Sequence, residues 1–194
     1  EAAGNWSNSG TFVPNTNTVI FNGLTKTIGG AVATTFYNLQ MGNTAVILNY
    51  TANRNITCNN LVFHSSSTAR TLTLSTGVNL QITGDLTINQ PTAAVTNALA
   101  VNSGTCTVSG NLIFSGTSNT TTRVGRVAVT SGSFTLNGSI TWMSNTAVAT
   151  EVITTANFTL NFTNSVSLVA GTGTISVTGA GNINFDGTTA PCLN

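Results

Sequence analysis

Charged side chains are scarce in this 194-residue sequence. Asp, Glu, Lys and Arg make up 5% of the residues, whereas soluble domains average about 25%. The net charge is +1 and no basic cluster is present, so we expect neither nucleic acid nor an anionic membrane as a partner. No stretch approaches the roughly 18 apolar residues of a membrane-spanning helix. The solvent-facing positions are expected to hold Thr, Ser, Asn and Gly instead of charged residues. This composition favours a secreted or cell-surface protein over a cytosolic one.

The sequence between Thr71 and Trp142 repeats itself. Leu74, Val101 and Val129 are 27 and then 28 residues apart, and each copy holds three short runs of alternating apolar and polar residues. Glycines recur at a similar spacing between these runs. A repeat of this length with period-two alternation is typical of a solenoid. No segment has the length and periodicity of a helix.

We therefore predict an all-β, single-domain, right-handed parallel β-helix with three sides and about seven turns. The domain is expected to span residues 1–194, with an N-terminal cap and first strand in residues 1–23 and a C-terminal tail in residues 186–194. Equivalent strands should pair one turn apart, about 4.8 Å along the axis.

Two sets of stacked residues follow from this alignment. The predicted inward columns are Leu72/Leu99/Val127, Leu74/Val101/Val129, Leu80/Cys106/Phe134, Ile82/Val108/Leu136, Leu86/Leu112/Ile140 and Ile88/Phe114/Trp142. The last of the three sides is predicted to run through Leu39, Leu61, Leu86, Leu112, Ile140, Val166 and Ile183, after Val19, Phe21 and Ile28 have begun a turn.

The titratable residues do not form a pattern that predicts a catalytic or metal-binding site. Polysaccharide lyases and pectin hydrolases with parallel β-helices need clustered carboxylates, but the four in this chain share no predicted column. His64 stands alone, without metal-ligand spacing to Asp, His or Cys. We expect no enzyme activity, no catalytic residue, no cofactor and no metal site. The arginines are expected to solvate the corners.

The predicted separation of Cys58 and Cys106 argues against a disulfide within the core of this three-cysteine chain. Cys58 and Cys106 would lie two turns apart, about 9.6 Å, which exceeds the roughly 7 Å limit between bridged Cα atoms. We expect two buried thiols there. Cys192 lies near the end and could pair with another chain.

The first third of the chain resembles a known family. The motifs are Gly4-x-Trp6-x-Asn8-x-Gly10-x-Phe12-x-Pro14, then Thr18-Val-x-Phe21-x-Gly23, and later Thr35-Phe36-Tyr-Asn38-Leu39. They resemble the repeat regions of large secreted surface proteins of Bacteroidota. The resemblance implies an adhesin-type β-helix exported to the cell surface. The C-terminal sorting domain of the full-length pattern is not recognisable, so we expect a processed product or an excised piece.

Three surfaces are candidates for function. The first is an outward face on the middle side, with Asn79/Thr105/Ser133/Thr159/Thr174 in one column and Gln81/Thr107/Thr135/Asn161/Ser176 in the next. Such Thr ladders resemble the ice-binding faces of antifreeze solenoids, and its candidate residues are Thr105, Thr107, Ser133, Thr135, Thr159 and Asn161. The second is a corner loop with Ser115, Thr117, Asn119 and Thr121, which could bind a surface glycan. The third is the pair of rod ends, Trp6 and Phe12 at one and Ile183 and Phe185 at the other, which could join copies of the chain.

These surfaces keep several functions open. The leading hypothesis is an extracellular structural or adhesive module, which could assemble into a homo-oligomer or a head-to-tail filament. Low charge favours assembly slightly, because little repulsion opposes the packing of identical chains. Ice binding and glycan binding are the alternatives. Trp6 and Phe12 could instead cover the open bottom of the coil, where free strand edges would invite aggregation.

Overall fold

The computed structural model describes residues 1–116, 123–129, 132–138, 140–141, 151–155, 159–161, 176–178 and 182–184. Within these residues the chain forms β-strands and no helix. The strands make three sheets, and every strand pair is parallel. The fold is therefore the predicted parallel β-solenoid. The sheets are called the first, middle and last sides, in the order in which the chain visits them.

The strands are numbered in chain order. The first side contains β1 (Trp6–Asn8), β3 (Thr25–Gly30), β6 (Leu48–Ala52), β9 (Arg70–Leu74), β12 (Thr96–Val101), β15 (Val124–Val129), β18 (Glu151–Thr155) and β20 (Ser176–Thr178). The middle side contains β4 (Thr34–Thr35), β7 (Ile56–Cys58), β10 (Asn79–Ile82), β13 (Thr105–Val108), β16 (Ser133–Leu136), β19 (Thr159–Asn161) and β21 (Asn182–Asn184). The last side contains β2 (Thr18–Phe21), β5 (Asn38–Met41), β8 (Asn60–Phe63), β11 (Leu86–Asn89), β14 (Leu112–Ser115) and β17 (Ile140–Thr141).

The described strands form five complete turns, slightly fewer than the predicted seven. Each complete turn has one strand on every side, from β3–β5 up to β15–β17. At the N-terminal end β1 and β2 make a partial turn. At the other end β18 with β19, and β20 with β21, occupy the first and middle sides.

The core consists of stacked apolar columns. Strand pairing brings Leu99 onto Leu72 and Val127, and the same holds for the other inward columns as far as Ile140. Leu72, Leu99 and Val127 are fully buried. Each such side chain contributes about 1.5–3 kcal/mol through removal from water. The predicted columns are confirmed, except that Trp142 lies outside the described residues.

The side assignments fail toward both ends of the chain. The last side is confirmed from Leu39 to Ile140, but it begins one turn earlier, because Val19 pairs with Leu39. Val166 lies outside the described residues. Ile183 pairs with Leu160 on the middle side, so its predicted place was wrong. The number of residues in a corner decides which side the next strand joins. Alternation within a strand carries no information about that number.

Stacked glycines let successive turns approach closely at the corner between the middle and last sides. Gly110 donates its backbone N–H to Gly84 O at 2.9 Å. A Cβ on Gly110 would lie 2.5 Å from that same oxygen, so the stack needs a residue without a side chain. Beside the glycines, Asn60 donates Nδ2–H to Asn38 Oδ1 at 3.0 Å. The recurrent glycines of the sequence are therefore part of the turn-to-turn contact.

Aromatic rings cover the core at the N-terminal end. Trp6 packs edge-to-face on Phe12 with centroids 4.9 Å apart, and it also contacts Phe21 and Phe36. Its indole Nε1–H donates to Thr34 Oγ1 at 3.2 Å. We call Trp6, Phe12, Phe21 and Phe36 the aromatic cap. It covers the apolar interior at the level of the partial turn formed by β1 and β2.

Candidate functional site

The outer surface of the middle side carries two columns of uncharged polar residues. In β10, β13 and β16, every second side chain is buried in the core, so the intervening ones face outward. The first column contains Asn79, Thr105 and Ser133. The second contains Thr35, Thr57, Gln81, Thr107 and Thr135, and strand pairing continues it through Thr159 to Asn182. We call these two columns the threonine face.

The threonine face differs from the predicted surface in its upper register. Thr159 pairs with Thr135, so it continues the second column and not the first. Asn161 lies two residues farther along β19 and pairs with Asn184. Ser176 pairs with Val152 on the first side, so its predicted place on the face was wrong. Thr174 lies outside the described residues.

Two residues of the face were missed at the sequence level. Thr57 pairs with Gln81, and Thr35 pairs with Thr57, which extends the second column down to the first complete turn. The signal was present, because Thr57 stands between the inward residues Ile56 and Cys58. Five of the seven positions in this column are therefore threonine.

The face presents hydroxyl and amide groups at regular intervals. Neighbouring turns are about 4.8 Å apart, and outward residues of one strand are about 6.6 Å apart. Some of the groups bond to each other: Thr105 Oγ1 donates to Asn79 Oδ1 at 3.1 Å, and Gln81 Nε2 donates to Ser109 Oγ at 3.3 Å. No charged residue stands in either column. The arrangement is a rigid, uncharged, hydrogen-bonding surface.

The candidate corner loop joins the last side to the first. Ser115 ends β14 beside Asn89, and its carbonyl accepts the Gln90 N–H at 2.7 Å. Thr117, Asn119 and Thr121 lie outside the described residues. The loops of the turns below, residues 42–47, 64–69 and 90–95, connect the same two sides.

Arg70, at this corner, is fully buried, contrary to the prediction that the arginines solvate the corners. Its Nη1 donates to Thr68 O at 3.0 Å and its Nη2 donates to Thr44 O at 2.5 Å, while Nε has no partner in the part of the chain that the structure describes. The guanidinium thus ties together the loops of two successive turns. Burial lowers the pKa of Arg70. The sequence did contain a sign of this burial. Arg70, Leu72 and Leu74 are alternate residues of β9, so their side chains lie on the same inward face.

A buried asparagine continues this polar corner one turn higher. Asn97 pairs with Arg70 and is fully buried. Its Nδ2 donates to Asn89 O at 2.8 Å and to His64 O at 3.3 Å. Asn97 Oδ1 and His64 Nδ1 lack hydrogen-bond partners within the described residues. These groups connect adjacent turns inside the corner, so we assign them a structural role.

Asp85 and Glu1, the two acidic residues whose side chains the structure describes, bond to different corners and do not converge. Asp85 Oδ1 accepts Asn111 N–H at 2.7 Å and Asn111 Nδ2–H at 3.0 Å, and the Asp85 N–H donates to Asn60 Oδ1, so Asp85 links the turns at the middle-to-last corner. Glu1 Oε1 accepts Asn43 Nδ2–H at 2.6 Å. Glu151 begins β18 on the first side, and Asp186 lies outside the described residues. In the described part of the chain, no three His, Cys, Asp or Glu residues are placed to hold a metal ion.

The two candidate ends differ in how much the structure describes. At the N-terminal end Trp6 and Phe12 are partly buried and pack against the core. The edge of β2 is covered as well, because Ala2 N–H donates to Ile20 O at 2.7 Å. At the other end Ile183 belongs to β21, and Phe185 lies outside the described residues.

Cys58 and Cys106 are free, buried thiols, as predicted. They lie on β7 and β13, two turns apart on the middle side. Burial raises the pKa of Cys58 to about 12 and also raises that of Cys106. Both therefore stay protonated at neutral pH and act as small core residues. Cys192 lies outside the described residues.

Among the described residues, no helix is long and apolar enough to cross a membrane. No protein-family model, curated protein or solved structure compared with the chain matches it.

Proposed function

We propose that this protein is a non-enzymatic, extracellular structural or adhesive module. It is a rigid rod that presents its threonine face and corner loops to an extended cell-surface polymer, with a glycan as the preferred partner. The threonine face carries the proposal. Its hydroxyl and amide groups suit the neutral hydroxyls of a polysaccharide, and its sheet backbone is ordered before binding, which lowers the entropic cost.

Within this proposal the side of the rod is favoured over its ends. The aromatic cap and the Ala2 bridge already use much of the N-terminal surface that end-to-end assembly would need. Head-to-tail filaments remain the competing form of the same structural function. Negative-stain electron microscopy at micromolar concentration separates the two, since filaments would support end-to-end assembly and dispersed short rods would support the side surfaces.

Glycan adhesion is tested with immobilised neutral and acidic polysaccharides. Thr107→Tyr and Thr135→Tyr place bulky rings on the threonine face without touching the core. Thr73→Tyr is the matched control, because Thr73 alternates with buried Leu72 and Leu74 on the outer surface of the first side. We expect weaker retention for the first two variants and no change for the third. Equal retention of all three would refute the face, and loss of retention after deletion of residues 115–122 would move the site to the corner loop.

Ice binding is the second candidate, and the second column of the threonine face favours it. Threonine occupies five of its seven positions on one sheet. We expect thermal hysteresis in the unmodified chain and its loss in Thr107→Tyr and Thr135→Tyr. Hysteresis that survives both substitutions would exclude the face, and its absence in the unmodified chain would exclude ice binding.

A further inference from the structure

A shallow groove runs around the corner between the first and middle sides, close to the N-terminal end. Its first-side half has a volume of about 500 Å³ and is lined in part by Asn5 and Thr27. Its middle-side half has a volume of about 340 Å³ and includes Asn55. Asn53 and Arg54 line both halves, so the two form one continuous surface. We call it the Arg54 groove.

The asparagines of the groove use their oxygens internally. Asn5 Oδ1 accepts the backbone N–H of Thr27 at 3.0 Å, and Asn55 Oδ1 accepts the backbone N–H of Asn79 at 2.9 Å. Because a backbone N–H can only donate, these bonds fix the orientation of both amides. Their Nδ2 groups have no hydrogen-bond partner within the described residues and are left to face a ligand. Asn53 Oδ1 is used in the same way and accepts Ser75 Oγ–H at 2.7 Å.

Arg54 adds a fixed positive charge to these donors. Its Nε donates to Gly30 O at 2.8 Å, which anchors the exposed guanidinium and leaves the two Nη groups available. The lining of the groove contains no Asp or Glu. The groove is therefore rich in hydrogen-bond donors and carries one cation without an opposing carboxylate.

We propose that the Arg54 groove binds an acidic polysaccharide through its carboxylate or sulfate groups. Arg54 contacts the anionic group, because a guanidinium fork matches its paired oxygens. The amide Nδ2 groups of Asn5, Asn53 and Asn55 donate to oxygens of the adjoining sugar units. This inference rests on the proposed glycan adhesion and adds to it the charge of the polymer and a second contact surface beside the threonine face.

The test measures binding of the full chain to three polymers by isothermal titration calorimetry at low ionic strength. Polygalacturonate supplies carboxylates, dextran sulfate supplies sulfates, and dextran is the neutral control. We expect binding to one or both acidic polymers and weaker or no binding to dextran. The acidic polymer that binds identifies the preferred anionic group, and added salt should weaken the interaction.

Three variants locate the site. Arg54→Gln should weaken acidic-polymer binding about tenfold or more, the usual effect of losing a hydrogen bond to a charged group. Asn55→Asp keeps an oxygen facing the Asn79 N–H but replaces the outward donor by a carboxylate oxygen, so it should cause a similar loss in a folded chain. Arg126→Gln, on β15 of the first side, removes the same charge away from the groove and the corner loops and should have no effect.

The outcomes separate this inference from the broader proposal. Acidic-polymer binding that is unchanged by Arg54→Gln and Asn55→Asp would overturn the groove, and it would leave glycan adhesion intact if Thr107→Tyr abolished it. Equal loss in all three charge variants would indicate a general charge effect and would also overturn the groove. Binding to dextran alone would refute the acidic ligand but not adhesion. A lack of binding to every polysaccharide tested would count against both.

Discussion

Replacing Gly110 with alanine should destabilise the solenoid by about 2–4 kcal/mol. The new Cβ would lie 2.5 Å from Gly84 O and 2.5 Å from Asp85 Oδ1, where carbon and oxygen normally stay more than 3 Å apart. Overpacking of this kind costs about 1–3 kcal/mol. Moving the turns apart would also weaken the bonds from Asn111 to Asp85, and hydrogen bonds to a charged group contribute about 1.5–3 kcal/mol. The two effects overlap, because one displacement causes both.

Urea unfolding followed by far-ultraviolet circular dichroism measures this loss. Gly10→Ala is the matched control, because a Cβ at Gly10 meets no atom within 4 Å. We expect the control to stay within about 0.5 kcal/mol of the unmodified chain. A Gly110→Ala chain with an unfolding free energy equally close to the original would refute the argument that the glycine stack sets the spacing between turns.

Three further predictions concern the buried polar corner and the core thiols. Gly42→Ala should lower the free energy of unfolding by about 3 kcal/mol or more, because Gly42 has a φ of 78° and its Cβ would clash with Arg70 Nε; an unchanged urea midpoint would contradict this. In a Cys192→Ser chain, Cys58 and Cys106 should react with Ellman's reagent at pH 8 only after unfolding, and prompt reaction in the native chain would refute their burial. The buried thiols have higher pKa values in the folded chain than the value of about 8.5 in the unfolded chain, so their contribution to stability is complete below about pH 8.5. This contribution should decline as the pH rises toward about 12, which would be measured as a falling urea midpoint.

The repeat in the middle of the chain was sufficient to predict the fold. Leu72, Leu99 and Val127 recur with the same phase and almost the same spacing, so their stacking follows from alternation alone. Prediction failed where corner lengths change. Ile183 and Ser176 join sides other than those expected, because the final turns are shorter than the central ones.

The candidate sites were harder to predict, because residue type was given more weight than strand phase. Arg70 was assigned to solvent as an arginine, although its alternation with Leu72 points inward, where Thr44 and Thr68 supply carbonyl acceptors. The Arg54 groove leaves no pattern in the sequence. It depends on the hydrogen bonds that turn the amides of Asn5 and Asn55, and those bonds join residues more than 20 positions apart.

At the last-to-first corner, the number of connecting residues can change without a change in strand register. Residues 42–47, 64–69 and 90–95 give six residues to this connection and residues 116–123 give eight, yet the strands on either side remain paired in register. Two additional residues are therefore accommodated at this corner without a shift in strand pairing. The rod combines a core of constant register with a corner of variable length, and where Arg70 bonds to two successive loops a change in one loop would be transmitted to the next.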